Sequence, residues 1–115
     1  MKNNVIQTKS FKFALKIIGL YKRLQTASEF VISKQVLRSA TSVGANVEEA
    51  LAGQSRKDFV SKMSIALKES RETRYWLRLL QESQIVKDDY SEYVRDVDEI
   101  IRIMTSIIKT TIEKE

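Results

Sequence analysis

The 115-residue sequence contains no cysteine, no histidine and no proline, and it has only three glycines. Without cysteine the chain cannot form a disulfide, a thiolate zinc site or an iron–sulfur centre. Without histidine it lacks the commonest general base and the Ser-His and Cys-His pairs of many hydrolases. The scarcity of proline and glycine leaves long stretches without helix breakers. The sequence therefore predicts a helical protein that is not an enzyme and binds no cofactor.

The residues that are present are typical of a soluble globular protein. Hydrophobic residues make up 43% and charged residues 30% of the chain, and the mean hydropathy is −0.29. The length indicates one domain, over residues 1–115. Lys16 interrupts the apolar run from Phe13 to Leu20, and no small-residue cleavage site follows it, which argues against a signal peptide. We expect a cytoplasmic protein that does not associate with membranes.

Charge is unevenly spread along the chain. The net charge of +5 is the sum of a net +7 over residues 1–38, a net +1 over residues 39–83 and a net −3 over residues 84–115. Such an asymmetry can steer self-assembly or the binding of polyanions, although ordinary solvated helix faces account for part of it.

Residues 55–83 form the most regular segment. Their apolar and small side chains recur at alternating steps of four and three, which places them on one stripe of an α-helix. This seam is Phe59, Met63, Ala66, Ser70, Thr73, Leu77 and Leu80. Ser70 and Thr73 interrupt its apolar character, and we expect them to face polar residues on a neighbouring helix.

Similar patterns predict three further helices. Helix 1 starts between Asn4 and Ser10 and ends near Thr26. Helix 2 runs from about Lys34, capped by Ser33, to Ala52, and helix 4 runs from a cap at Asp88 or Asp89 to about Ile112. We interpret Gly44 as a packing glycine and Gly53 as a left-handed helix stop. The fold class is all-α, an antiparallel up-down four-helix bundle with crossing angles of roughly 20°.

The apolar arcs are wider than one bundle needs, which indicates a homo-oligomer. Its candidate interface residues are Ile65, Trp76, Leu79, Ile100, Ile103 and Ile107.

Basic side chains on two helices form a candidate site for RNA or DNA. Guanidinium groups pair well with phosphates, and an exposed tyrosine between them can stack on a base. Solvated helix faces with pairs such as Arg78–Glu82 are an equally weighted explanation. The candidates are Lys9, Lys12, Lys16, Arg23, Lys68, Arg71, Arg74, Tyr75 and Arg78.

A polar stripe on helix 2 consists of Arg38, Ser42, Asn46 and Glu49. We interpret it as a structural network that sets helix register or subunit contacts, with Ser70 and Thr73 of helix 3 facing it; a ligand or metal site is the alternative. Carboxylate pairs such as Glu69 with Glu72 could hold Mg²⁺, but charged helix faces explain them better, so no metal site is predicted.

Four segments of the chain match the pattern of a known family: TSVGANVEEA (residues 41–50), KDF (57–59), IALKESRETRYWLRLL (65–80) and FALKIIGLYK (13–22). With them the chain resembles the four-helix-bundle family first associated with intervening sequences in bacterial 23S rRNA. The resemblance implies an up-down bundle that assembles as a homopentamer around a central channel. The family is also similar to the accessory variability proteins of diversity-generating retroelements, which are basic pentamers that bind nucleic acid and a reverse transcriptase.

The family pattern carries over to the polar stripe and to a few other positions, none with a catalytic role. These are Gln35, Arg38, Ser42, Asn46, Glu49, Asp58, Phe59, Glu72 and Trp76. We expect a non-enzymatic oligomer that binds nucleic acid through basic helix faces; the alternative is a scaffold for a protein partner, such as a reverse transcriptase, with no nucleic-acid role.

Overall fold

The computed structural model describes residues 2–114, with side chains described from residue 5 onward. It contains four helices: α1 (Lys2–Thr26), α2 (Ile32–Leu51), α3 (Arg56–Ser83) and α4 (Ser91–Glu113). The all-α prediction is confirmed for the described residues. The predicted start of helix 1 is wrong, because α1 already begins at Lys2. The other predicted boundaries lie within about two residues of the observed ones.

Each helix packs against two others, in the cycle α1–α2–α3–α4. Along two neighbouring helices, the residue number rises on one helix as that of its contact partner falls on the other. Lys9 pairs with Glu99 near one end of α1, whereas Arg23 pairs with Asp88 near the other. The result is a rod measuring 48 × 20 × 20 Å. None of the helices between residues 2 and 114 is long and apolar enough to cross a membrane.

The predicted seams of α2 and α3 form a large part of the core. Val36, Val43, Met63 and Leu77 are fully buried, as expected for positions that recur at steps of four and three.

The two polar seam residues of α3 find separate partners. The Thr73 hydroxyl lies 2.8 Å from the hydroxyl of Ser39 on α2. The Ser70 hydroxyl donates to the carbonyl oxygen of Ala66 at 2.9 Å and lies 3.7 Å from the sulfur of Met104 on α4. The prediction that both face the polar stripe of α2 is therefore wrong: Thr73 meets α2 at Ser39, outside that stripe, and Ser70 faces α4.

The wide apolar arc of α4 packs against the other helices of the same chain. Ile100 is 1% exposed and Ile107 is 4% exposed, because α4 packs against both α1 and α3 and needs a broad apolar surface. The prediction that these two residues lie outside the core, available to a second subunit, is wrong. Ile103, Trp76 and Leu79 are half-buried, and Ile65 is exposed.

The corner between α1 and α2 is closed by local hydrogen bonds. Ser28 has a left-handed backbone (φ 64°), and the N–H of Glu29 reaches back to the carbonyl of Leu24 at 2.9 Å, as in a Schellman motif. The buried Glu29 carboxylate then accepts the backbone N–H groups of Val31, Ile32 and Ser33 at 3.1, 3.0 and 2.6 Å. The predicted cap, Ser33, is wrong: it lies inside α2 and Glu29 takes that role.

This arrangement also sets the charge state of Glu29. Burial alone would raise the pKa of its carboxyl, but the hydrogen bonds from the backbone of α2 favour the anion and hold the pKa below its usual value.

The corner between α3 and α4 is also tied by its own side chains. Gln84 is left-handed (φ 49°), and its amide donates to the carbonyl oxygens of Gln81 and Asp88 at 2.7 and 3.0 Å. Gln81 in turn accepts the backbone N–H of Tyr90 at 2.6 Å. At the opposite end of the rod, the corner between α2 and α3 has Ser55 as the predicted cap, accepting the N–H of Asp58 at 3.0 Å.

Two glycines differ from their predicted roles. Gly44 does face another backbone, but a Cβ there would lie 3.6 Å from the carbonyl oxygen of Ser10 on α1, an ordinary contact, so the glycine is not required for packing. Gly53 does not have a positive φ. A Cβ at Gly53 would instead lie only 3.1 Å from the carbonyl oxygen of Ala50, so crowding rather than handedness favours glycine.

Candidate nucleic-acid interface

Three of the four basic candidates on α1 are paired with carboxylates of α4 or of the segment just before it. Lys9 Nζ lies 3.0 Å from Glu99 Oε1, and Arg23 Nη2 lies 3.1 Å from Asp88 Oδ2. Lys16, between them, binds both Glu92 and Asp96. Three cations spaced by seven residues return to one face of a helix every two turns, and here that face is the junction with the acidic first half of α4.

The contacts of Lys16 change the pKa of its ammonium group. Burial alone would lower the pKa of the Lys16 ammonium, but hydrogen bonds to Asp96 and Glu92 favour the charged form and raise the pKa above its usual value. The same contact lowers the pKa of Glu92. The ring of Tyr93 lies 5.8 Å from Lys16 Nζ and 5.9 Å from Arg23 Cζ, within cation–π range. These α1 cations are thus engaged in holding α4.

Two of the α3 candidates are likewise paired. Arg74 Nη1 lies 3.1 Å from Asp98 Oδ1 of α4. Arg78 pairs with Glu82 one turn later at 3.0 Å, as the helical spacing predicts. Of the nine candidate residues, only Lys12, Lys68, Arg71 and Tyr75 have no salt bridge or side-chain hydrogen bond to another side chain within residues 5–114.

The structure adds a second row of cations that the sequence interpretation missed. Arg95, Arg102 and Lys109 are all exposed along the outer face of α4, and none has an ion-pair partner among the side chains described. Their spacing of seven residues matches that of the α1 stripe and could have revealed them. The net negative charge of residues 84–115 concealed this row, because that total includes acidic residues of α4 that pair with cations of α1 and α3.

The α4 row adjoins the exposed flank of α3. Arg74 pairs with Asp98, and paired residues run in opposite order along the two helices. Arg71, one turn before Arg74, therefore lies at the level of Arg102, one turn after Asp98. We call the combined surface the α3–α4 basic face. Its members are Lys68, Arg71, Tyr75, Arg95, Arg102 and Lys109.

The polar stripe of α2 does not form one connected network. Arg38 pairs with Glu72 and, at 3.3 Å, with Glu69, whereas Glu49 pairs with Lys62 at 3.2 Å. All three of these partners belong to α3. The two ends of the stripe therefore contact α3 separately, and the role of the stripe in setting helix register or subunit contacts stays a prediction.

Between these ends, the Asn46 amide donates to the carbonyl and hydroxyl oxygens of Ser42 at 2.9 and 3.1 Å. On α3, Trp76 Nε1 donates to Glu72 Oε2 at 2.9 Å, and the Trp76 ring meets the ring of Tyr75 edge to face with centroids 5.1 Å apart.

Comparison with known proteins places this chain in a family. The sequence model of the family described as 23S rRNA-intervening sequence protein matches residues 2–106. The chain belongs to this family. A search of proteins with curated descriptions finds no match.

A solved structure supports the same relationship. It is a crystal structure at 1.70 Å resolution of a protein with unknown function from the S23 ribosomal protein family of Bacteroides thetaiotaomicron VPI-5482. The two chains share 50% identity, over 95% of this chain and 99% of that one, with a TM-score of 0.90. Membership of the 23S rRNA-intervening sequence protein family, expected from the residues, is confirmed.

The residues carried over from the family pattern mostly lie where α2 meets α3. Arg38, Glu72 and Trp76 form the hydrogen-bonded cluster described above, and Gln35 adds a long contact from its Oε1 to Arg38 at 3.4 Å. In this member of the 23S rRNA-intervening sequence protein family, the pattern therefore contributes to helix pairing.

Proposed function

We propose that this protein is a non-enzymatic nucleic-acid-binding protein that uses the α3–α4 basic face. The observation that supports the proposal is the division of the cations into two groups. Lys9, Lys16 and Arg74 are paired with carboxylates of α4 and Arg23 with Asp88 just before it, whereas the five cations of the α3–α4 basic face have no carboxylate within 4 Å among residues 5–114. Unpaired Lys and Arg are the groups that displace counterions from phosphates.

The dimensions of the face suit a polyanion. Arg95 and Lys109 are 14 residues apart, which is about 21 Å along a helix at 1.5 Å per residue. Duplex DNA carries one charge per 1.7 Å of its axis, or about 12 phosphates over that length. Arg71 on the neighbouring helix widens the face, and guanidinium groups bind phosphate oxygens in a bidentate manner.

The test measures binding of fluorescently labelled RNA and DNA, single- and double-stranded, by anisotropy at 50–300 mM salt. Replacing Arg95, Arg102 and Lys109 together by Gln should weaken binding and reduce the slope of log K against log salt by about 2.7 for duplex, at 0.9 per lost contact.

A matched control replaces Lys22, Lys34 and Lys87 by Gln, because these lysines are exposed on α1, on α2 and in the corner between α3 and α4, none is a candidate, and the change in net charge is the same. An equal loss in both triple variants would contradict the location of the site. Micromolar protein that binds no nucleic acid at 50 mM salt would contradict the function itself. A stoichiometric protein partner retained after nuclease treatment would then support the scaffold alternative.

We also propose that the chain self-associates, because α1 exposes an apolar row that its own bundle leaves uncovered. Phe11, Leu15 and Ile18 are 63%, 54% and 37% exposed and lie at steps of four and three on one face. Exposed apolar patches of this kind commonly mark interfaces. This row replaces Ile100 and Ile107 as the main candidate surface, alongside exposed Ile65.

Light scattering tests self-association. A homopentamer of 13.3 kDa chains, as the sequence resemblance implies, would have a mass of about 66 kDa. Leu15→Glu should lower the observed mass, whereas Thr105→Glu, at an exposed position on α4 away from the row, should leave it unchanged. A 13.3 kDa species for the wild-type chain at working concentration would contradict the proposal.

A further inference from the structure

Tyr75 is an exposed aromatic ring in the middle of a cationic surface. Its side chain is 56% exposed, although it belongs to a helix whose other aromatic residues, Phe59 and Trp76, are packed against the core. Within residues 5–114 its hydroxyl group makes no hydrogen bond, so no polar contact of the phenol accounts for its placement.

The ring is nevertheless held in position by a chain of contacts. Arg38 binds Glu72, Glu72 accepts the indole N–H of Trp76 at 2.9 Å, and the Trp76 ring meets the Tyr75 ring at an interplanar angle of 70°. The Trp76 ring is held by the hydrogen bond of its indole N–H and by packing against the core. It therefore restricts the rotamers that Tyr75 can adopt. A preorganised ring loses little conformational entropy when it binds a flat partner.

Cations lie on the same side of α3 as the ring. Arg71 precedes Tyr75 by four residues, about 6 Å along the helix, and Lys68 precedes it by seven, about 10 Å. Neither has a carboxylate within 4 Å in the part of the chain with described side chains. An aromatic ring that accepts a base, with cations beside it that accept phosphates, is the usual combination in proteins that bind single strands.

We infer that Tyr75 stacks on an unpaired base of single-stranded nucleic acid while Lys68 and Arg71 bind the adjoining phosphates. The inference rests on the proposed nucleic-acid function and specifies its ligand class. A single strand is required because the faces of bases inside a duplex are covered by their neighbours, whereas an unpaired base presents its face to the ring.

The test compares a 12-nucleotide single strand, a strand of the same length with abasic sugars at every internal position, and a 12-base-pair duplex. The wild-type protein should bind the intact strand at least about fivefold more tightly than the abasic strand, because a stack contributes about 1–3 kcal/mol, or about 5–150-fold. Binding should also change the fluorescence of Trp76, the one tryptophan of the chain, which contacts Tyr75.

Three variants separate stacking from charge. Tyr75→Leu keeps an apolar contact with Trp76 but should weaken intact-strand binding by at least about fivefold with an unchanged salt slope, whereas Tyr75→Phe should bind like the wild type. Arg71→Gln should instead reduce the salt slope by about 0.7. Circular dichroism and thermal unfolding confirm that the exposed substitutions leave the fold intact.

The outcomes distinguish the two proposals. Equal affinity for intact and abasic strands, or a Tyr75→Leu variant that binds like the wild type, would overturn the stacking inference and leave the nucleic-acid function standing. Absence of binding to all three probes at 50 mM salt would overturn both.

Discussion

Replacing Glu29 by Gln tests how the corner between α1 and α2 is held. The Glu29 carboxylate accepts three backbone N–H groups of the first turn of α2, and hydrogen bonds to a charged acceptor are about twice as strong as those to a neutral one. An amide oxygen can still accept, so we expect a loss of about 1–2 kcal/mol in the free energy of unfolding at pH 7. At about 2.1 cal/mol/K per residue, this corresponds to a fall in Tm of about 4–8 °C for a chain of this length.

The pH dependence of this loss is the sharper part of the prediction. The pKa of Glu29 is lower in the folded protein than its usual value, so its contribution is present in full above the unfolded-state pKa of about 4.3. That contribution disappears as the pH falls through the lower folded-state value. The stability gap between the wild type and Glu29→Gln should therefore close between pH 5 and pH 3.

Urea unfolding of both proteins at pH 7, 5, 4 and 3 measures this gap. Glu113→Gln is the matched control, because Glu113 is exposed at the end of α4 and its loss should change stability by less than about 0.5 kcal/mol. A gap between the wild type and Glu29→Gln that is absent at pH 7, or that stays constant down to pH 3, would refute the assignment of Glu29 as an anionic cap.

Three other experiments test the packing. Gly44→Ala and Gly19→Ala should each stabilise the chain by up to about 1 kcal/mol in urea unfolding, because a methyl group fits at both sites and alanine favours helix. If Gly44→Ala destabilised the chain instead, the carbonyl oxygen of Ser10 would have to lie closer than 3.6 Å to the added Cβ. A double-mutant cycle of Thr73→Val and Ser39→Ala should give a coupling of about 1 kcal/mol from their buried hydrogen bond, and a coupling near zero would count against that bond. Lys16→Met should cost less than about 1 kcal/mol at 0.1 M salt. That cost should shrink at 1 M salt, where the ion pairs are screened, and a cost independent of salt would indicate a packing effect.

The helices and most of the core follow from sequence periodicity. The steps of four and three in α2 and α3 identify buried residues such as Val43 and Leu77, because the spacing of a helix face is a local property. The burial of Ile100 and Ile107 of α4 could not be predicted in this way. The width of an apolar arc does not reveal whether it covers one neighbouring helix or two, and α4 covers two.

The candidate site depends on contacts that connect distant parts of the sequence. The pairing of Lys9 with Glu99 joins residues 90 positions apart, and no helical pattern within α1 specifies it. The seven-residue spacing of Arg95, Arg102 and Lys109 is visible in the sequence, but the absence of ion-pair partners for these three among the described side chains follows only from the folded structure. Glu29 was missed for a different reason, since helix-capping rules favour short side chains such as that of Ser33, whereas a longer carboxylate reaches the same N–H groups from the preceding turn.

The two ends of the rod differ in how their corners are held, and this difference has a consequence for local opening. At one end, the corners at Glu29 and Gln84 are closed by side chains that bind several backbone groups. At the other, residues 52–58 are all exposed, and a single hydroxyl, that of Ser55, caps α3. Local unfolding begins where buried contacts and protected hydrogen bonds are fewest. Amide hydrogens around residues 52–58 are therefore expected to exchange with solvent well before those of residues 29–36, so that the bundle opens from the α2–α3 end.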